Sequence, residues 1–240
     1  MFRLRIVVLA SVLFAIASGA DLRAEVVERT ATIAQLLPPE RASEFDAVLD
    51  KDRQITWNVF KPTTASTPHG VLVFVSARDS GRPPNQWLGV LQQSNLIWIG
   101  ANRFGNKKPS AQRILAAILG LALVQRDYEV DPERIYIAGM SGGGRIASKT
   151  ITTSPQLFTG AIYFSGADFS ISDAAQLAAK RIVFVTGSAD FNRREMKQVY
   201  QQYRDAGLRE VLLMDLPLLG HTLPKAKDFE RAIRYLDMDH

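Results

Sequence analysis

Ser141, Asp190 and His221 are the side chains whose types and spacing in this chain could pass one proton between them. A serine hydroxyl is a weak nucleophile at neutral pH and attacks only when a base takes its proton in the same step. Imidazole suits that role because it exchanges a proton near working pH. A buried carboxylate completes the set by fixing the imidazole tautomer and stabilising imidazolium as it forms. The chain holds three histidines. His69 lies in Pro68-His69-Gly70 before an apolar run, and His240 is the last residue, where chain ends commonly fray. His221, in Leu219-Gly220-His221-Thr222 just past the final apolar run, is the expected base. Asp190 ends Thr186-Gly187-Ser188-Ala189-Asp190 and falls between the serine and the histidine in chain order. Asp168, in Ser165-Gly166-Ala167-Asp168, and Asp215, inside the last apolar run, compete with it for the acidic role.

The serine stands in Gly139-Met140-Ser141-Gly142-Gly143. Before it, Arg134 to Ala138 is a β-branched and aromatic run that reads as a buried strand; after it, Gly144 to Thr150 reads as the start of a helix. A serine at so sharp a strand-to-helix turn takes strained backbone angles, and flanking glycines let neighbouring backbone come close. That arrangement lifts the hydroxyl clear of a sheet and aims a helix N-terminus at the attacked group. The Gly142 N–H is then an expected donor to a developing oxyanion.

Other residues are weighed against plainer roles. Arg78 and Arg103 follow strands on the edge where such sheets bind ligands, so either could meet an acidic group of a substrate, although the plainer and favoured reading of each is a solvated arginine. Trp87 and Phe104 could line a pocket or fill the core, and Arg82-Pro83-Pro84-Asn85 could shape a pocket mouth.

The elements that must position these residues alternate between strand and helix, which predicts a mostly parallel α/β sheet. Ile55 to Phe60 alternates and stops before Pro62, as an early antiparallel strand would. Val71 to Val75 and Leu96 to Ile99 are continuously apolar, the pattern of strands covered on both faces. Ser110 is expected to cap a helix from Ala111 to about Arg126, after which Asp131-Pro132-Glu133 turns into the serine's strand. Further strands are expected at 161–164, 181–186 and 211–216. A helix carrying Met196, Val199, Tyr200 and Tyr203 ends at Gly207, and a closing helix from about Ala226 buries Phe229, Ile233 and Leu236. Ala31 to Leu49 reads as partly helical and is interrupted by Pro38-Pro39.

Composition narrows the class. Residues 1–20 have the three regions of a secretory signal peptide: Arg3 and Arg5, an apolar run from Ile6 to Ile16, and small residues at Ser18-Gly19-Ala20. The run is short for a membrane span of ~20 residues, so no stable anchor is expected after cleavage. Residues 21–240 are then expected to form one domain, periplasmic or extracellular. Removing the leader's two arginines from 29 basic and 24 acidic residues leaves a net charge of about +3, and no basic-aromatic block marks a nucleic-acid surface. The absence of cysteine excludes disulfides, thiolate metal sites and a cysteine nucleophile. No His/Asp/Glu cluster has metal-ligand spacing.

Asp131 to Gly143, Leu157 to Ala161 and Ser165-Gly166, with Gly187, Asp190, Gly220 and His221 further on, resemble the α/β-hydrolase superfamily. The closest flavour is the secreted esterases grouped with poly(3-hydroxybutyrate) depolymerases and feruloyl esterases. The resemblance implies a single-domain fold with a twisted sheet of about seven or eight strands and helices on both faces. It also implies hydrolysis of a small-molecule or polymeric ester through an acyl-enzyme, without a cofactor or metal. The resemblance further implies a second oxyanion donor from the loop after the third strand, here the N–H of Ala77 or Arg78. One departure is clear: where such enzymes usually carry His-Gly in that loop, this chain has Ser76-Ala77-Arg78-Asp79-Ser80-Gly81. That departure keeps a non-catalytic binding protein on the same fold as an alternative. A peptidase or acyltransferase using the same three side chains is another.

Overall fold

The computed structural model describes residues 25–63, 67–170, 172 and 174–238. The leader assigned to residues 1–20 and His240 lie outside them. Eight strands build one sheet: β1 (Val26–Ala31), β2 (Ile55–Phe60), β3 (His69–Val75), β4 (Leu96–Ala101), β5 (Val130–Met140), β6 (Gly160–Phe164), β7 (Arg181–Gly187) and β8 (Val211–Leu216). Eight helices accompany them: α1 (Ile33–Leu36), α2 (Pro39–Ser43), α3 (Leu88–Gln93), α4 (Ser110–Asp127), α5 (Gly142–Thr153), α6 (Ala174–Leu177), α7 (Arg193–Asp205) and α8 (Ala226–Leu236).

The strand order is β1-β2-β4-β3-β5-β6-β7-β8. β1 and β2 pair antiparallel, β2 runs antiparallel to β4, and the pairs from β4 through β8 are all parallel. The chain leaves β3 for β4 on one side and then crosses back to β5 on the other. This reversal leaves a crevice beyond the C-terminal ends of β3 and β5, where open α/β sheets bind ligands. The loops carrying Ala77 and Ser141 emerge there.

The alternation of β3 explains how both faces are covered. Val71, Val73 and Val75 point into a core shared with Leu115, Leu119 and Val124 of α4, Ile146 and Ile151 of α5, and Met196 and Tyr203 of α7. Leu72 and Phe74 point the other way, into a core with Val90 and Leu91 of α3 and Phe229, Ile233 and Leu236 of α8. Period-two alternation splits an unbroken apolar run between two cores, so such a run marks a strand buried on both sides.

Several local expectations change. Glu25 to Ala31 carries no strong strand pattern, yet β1 pairs along the whole length of β2 with Val26 opposite Phe60. The Ala31–Leu49 segment is partly helical and interrupted at Pro38-Pro39 as expected, α1 ending before the prolines and α2 starting at Pro39, but Ser110 does not cap α4. Pro109 occupies that cap, and its carbonyl already accepts the Arg113 N–H at 3.2 Å, so Ser110 is the first helical residue. Asp131-Pro132-Glu133 does not precede β5 but lies within it. Asp131 accepts the Glu133 N–H at 3.0 Å, and the register against β3 jumps from His69↔Val130 to Val71↔Ile135. No helix among the described residues is long and apolar enough to cross a membrane.

Candidate active site

Ser141 is the residue between β5 and α5, with φ 56° and ψ −122°. A side chain rarely tolerates positive φ, and such strain persists only where the surroundings enforce it. Two glycines show how they do. A Cβ on Gly143 would lie 2.0 Å from the Val75 carbonyl oxygen, and one on Gly139 would lie 2.3 Å from the Gly143 carbonyl oxygen. The turn is therefore pressed against both β3 and its own strand. The Ser141 N–H is held by the Phe164 carbonyl at 2.7 Å.

His221 follows β8, and Asp190 follows β7. The His221 Nε2 lies 2.9 Å from the Ser141 Oγ, and its Nδ1 lies 2.8 Å from the Asp190 Oδ1. The Asp190 side chain is fully buried, whereas about a fifth of the His221 side chain is exposed. Asp190 also accepts the Thr186 hydroxyl at 3.0 Å and the Asn192 N–H at 2.9 Å. Burial works to raise its carboxyl. The neighbouring Ser165 hydroxyl, the Asn192 N–H, the His221 ring and Thr186 outweigh burial and hold it below the usual carboxylate range. The Ser165 hydroxyl is buried and has no partner at hydrogen-bond geometry among the described residues. An anionic Asp190 fixes a proton on Nδ1 and leaves Nε2 as an acceptor facing the serine.

The competing residues lie elsewhere. Asp168 pairs with Lys149 at 3.0 Å, and Asp215 pairs with Arg193 and Lys197, both at 2.7 Å. His69 sits at the N-terminal end of β3, on the opposite rim of the sheet from Ser141. It is buried there, with Nδ1 2.6 Å from the Asn95 Oδ1.

Ala77 and Gly142 bring two further groups to the serine. Gly142 opens α5, so its N–H has no partner within the helix. Among the described residues, neither this N–H nor that of Ala77 donates a hydrogen bond. The Arg78 N–H differs, since it donates to the Ser76 Oγ at 3.0 Å. Sequence reasoning left Ala77 and Arg78 equivalent, and this bond separates them.

The Ala77 loop is anchored by residues that the sequence did not single out. Arg113 of α4 is buried and donates to the Ser76 carbonyl at 2.9 Å and the Phe104 carbonyl at 3.1 Å. Asn106 donates its backbone N–H to the Ala77 carbonyl at 3.0 Å. Its side-chain amide also fills the space that a Cβ on Gly142 would need. An arginine inside the apolar pattern of a helix is the only sequence signal for such an anchor. Phe191 is a second unforeseen neighbour: its ring stacks on His221 with centroids 3.9 Å apart, although 77% of the residue is exposed.

Trp87 and Phe104 belong to the core rather than to a pocket wall. Trp87 stacks on Phe229 and donates its indole N–H to the Pro224 carbonyl at 3.0 Å, bracing the segment after His221. Trp98 does the same for the other loop, donating to the Gly81 carbonyl at 2.8 Å. A groove of about 380 Å³ opens over Ser141 and His221. Arg78, Arg82 and Pro84 line it, as do the apolar side chains of Phe74, Met140 and Leu223, while Arg103 does not reach it. No cluster of three or more His, Cys, Asp or Glu side chains fit to hold a metal occurs among the described residues.

No family model and no curated protein matches the chain. Solved structures do resemble it. A ferulic acid esterase superposes with a TM-score of 0.62 at 16% identity, over 88% of this chain and 95% of that one. A bacterial heroin esterase gives 0.64 at 16% identity, over 91% and 86%. An S-formylglutathione hydrolase from Staphylococcus aureus gives 0.63 at 12% identity, over 88% and 98%. The fold is that of the α/β-hydrolases, as the sequence resemblance implied.

Proposed function

We propose that this chain is an exported serine hydrolase that cleaves carboxylic esters through an acyl-enzyme. The observation that carries this reading is the continuous contact Asp190–His221–Ser141, with each hydrogen-bonding distance below 3 Å. The Ser141 Oγ attacks the ester carbonyl carbon while its proton passes to the His221 Nε2. The C=O electron pair moves onto oxygen, and the N–H groups of Gly142 and Ala77 receive that oxyanion at the N-terminus of α5. Imidazolium, held by Asp190, then gives its proton to the departing alkoxide as the C–O bond breaks. A water molecule attacks the acyl-serine, His221 takes its proton, and return of that proton to Oγ releases the carboxylic acid. No step calls for a cofactor or a metal.

Export rests on the sequence of residues 1–20, and an N-terminus at or near Asp21 in protein recovered from a bacterial periplasm or culture medium is the corresponding expectation. The catalytic reading is tested with short p-nitrophenyl esters. Wild type is expected to release p-nitrophenolate in a burst followed by steady turnover, and Ser141→Ala to show neither. Equal rates for the two proteins would remove the basis for the assignment.

A further inference from the structure

The groove over Ser141 carries an asymmetry of charge that ester hydrolysis alone does not require. Two arginines, Arg78 and Arg82, stand on the wall formed by the loop after β3, and no carboxylate lines the groove. Both are exposed, and neither forms an ion pair among the described residues. The nearest acid in sequence, Asp79, is engaged with backbone instead. Its Oδ1 accepts the Gly105 N–H at 3.1 Å, and its carbonyl accepts that of Arg103 at 2.8 Å. The loop itself is fixed. Arg113 holds the Ser76 carbonyl, Trp98 holds the Gly81 carbonyl, and Gly81 donates its N–H to the Asn102 side chain at 2.9 Å. Arg78 and Arg82 thus stand on a braced loop in the same groove as the nucleophile, together with an apolar floor of Phe74, Met140 and Leu223.

We infer that the substrates of this site are esters bearing a second, anionic group, a carboxylate on either the acyl or the alcohol part, which Arg78 and Arg82 bind while the apolar floor takes the rest. Guanidinium presents a planar fork of donors that matches a carboxylate, and such charge-assisted bonds are stronger than neutral ones. The inference rests on the hydrolase reading above and concerns which esters that site selects.

The test compares two matched pairs of esters. Ethyl 4-carboxybenzoate and ethyl 4-carbamoylbenzoate differ by a charge on the acyl side; 4-acetoxybenzoate and 4-acetoxybenzamide differ by one on the leaving group. The readout is the ratio of kcat/KM, anionic over neutral, within each pair. In at least one pair the Arg78→Gln/Arg82→Gln protein is expected to lose about tenfold or more of the wild-type ratio, and the corresponding double lysine variant to retain part of it. With wild type, the same ratio is expected to fall as salt rises from about 0.02 M to about 0.5 M. Ratios that are the same in wild type and the glutamine variant for both pairs, and insensitive to salt, overturn the inference. Turnover of the neutral esters by wild type would leave the hydrolase reading standing in that case. Failure of all four esters, together with failure of p-nitrophenyl esters, removes both.

Discussion

The Phe191 ring lies flat against the His221 imidazole, with centroids 3.9 Å apart and planes inclined by 27°. Phe191 immediately follows Asp190, so the loop after β7 supplies both the carboxylate that holds one edge of the imidazole and the aromatic that covers its face. The ring restricts how far the imidazole can swing away from Ser141. Phe191→Ala is expected to lower kcat/KM by about two- to twelvefold, the equivalent of an aromatic contact worth ~0.5–1.5 kcal/mol. Because Phe191 is 77% exposed, the melting temperature should barely change. Steady-state kinetics beside a thermal melt separates the two effects, and an unchanged kcat/KM contradicts the role given to the stack.

Arg113 ties the Ala77 loop to α4 from inside the protein. Arg113→Met keeps much of the apolar stem but strips the donors from the Ser76 and Phe104 carbonyls. The expected loss is about 1–3 kcal/mol of stability for the unpaired groups. In the proposed mechanism the Ala77 N–H acts only as the oxyanion forms, so kcat should fall more than KM rises. A variant with reduced stability and wild-type kcat would separate Arg113 from the oxyanion site.

The backbone of Ser141 stores strain that its hydroxyl does not explain. At φ 56°, alanine keeps the steric conflict and glycine does not. Strain of ~1–3 kcal/mol, offset by the greater freedom of glycine in the unfolded chain, makes Ser141→Gly about 1 kcal/mol more stable than Ser141→Ala. Both lack the hydroxyl, so the comparison isolates the turn. Chemical denaturation measures it, and equal midpoints would mean that the turn relaxes.

Acid stability follows from Asp215. Its hydrogen bonds to Arg193 lead in pushing its carboxyl down to about 2, burial opposes them, and Lys197 adds to the depression. The depressed carboxyl contributes stability that is fully present above the unfolded value of about 3.9 and disappears as pH falls through about 2. Asp190 is shifted in the same direction and adds to the same acid limb. The melting temperature of Asp215→Asn should therefore lie below that of wild type at pH 6, with the gap closing toward pH 2. A constant gap would place the stabilisation elsewhere.

The sequence made some of this legible because period and turn chemistry are local. The unbroken apolar runs of β3 and β4 and the stripe on α8 each follow from which faces are buried, whereas the alternation of β2 does not, because Asn58 on its polar side is buried and donates to the Asn102 side chain. The three residues expected to converge do meet at one rim, since parallel strands bring every post-strand loop to the same edge. What escaped was decided by contacts between distant segments. β1 owes its strand to β2 rather than to its own VVERTA pattern, and Arg113 is an ordinary helix-forming residue until the Ser76 and Phe104 carbonyls meet it. Arg78 and Arg82 line the groove and Arg103 does not; Arg103 sits at φ 65° with its N–H held by the Asp79 carbonyl.

In the proposed mechanism His221 activates Ser141 for attack. The rate at which a fluorophosphonate bonds to the protein, with the modified residue located by mass spectrometry, measures that activation. Wild type is expected to carry one label, on Ser141, and His221→Ala to acquire it at least about a hundredfold more slowly. A wild-type protein left unlabelled, or one labelled at Ser141 no faster than His221→Ala, would rule out His221 as the base for Ser141.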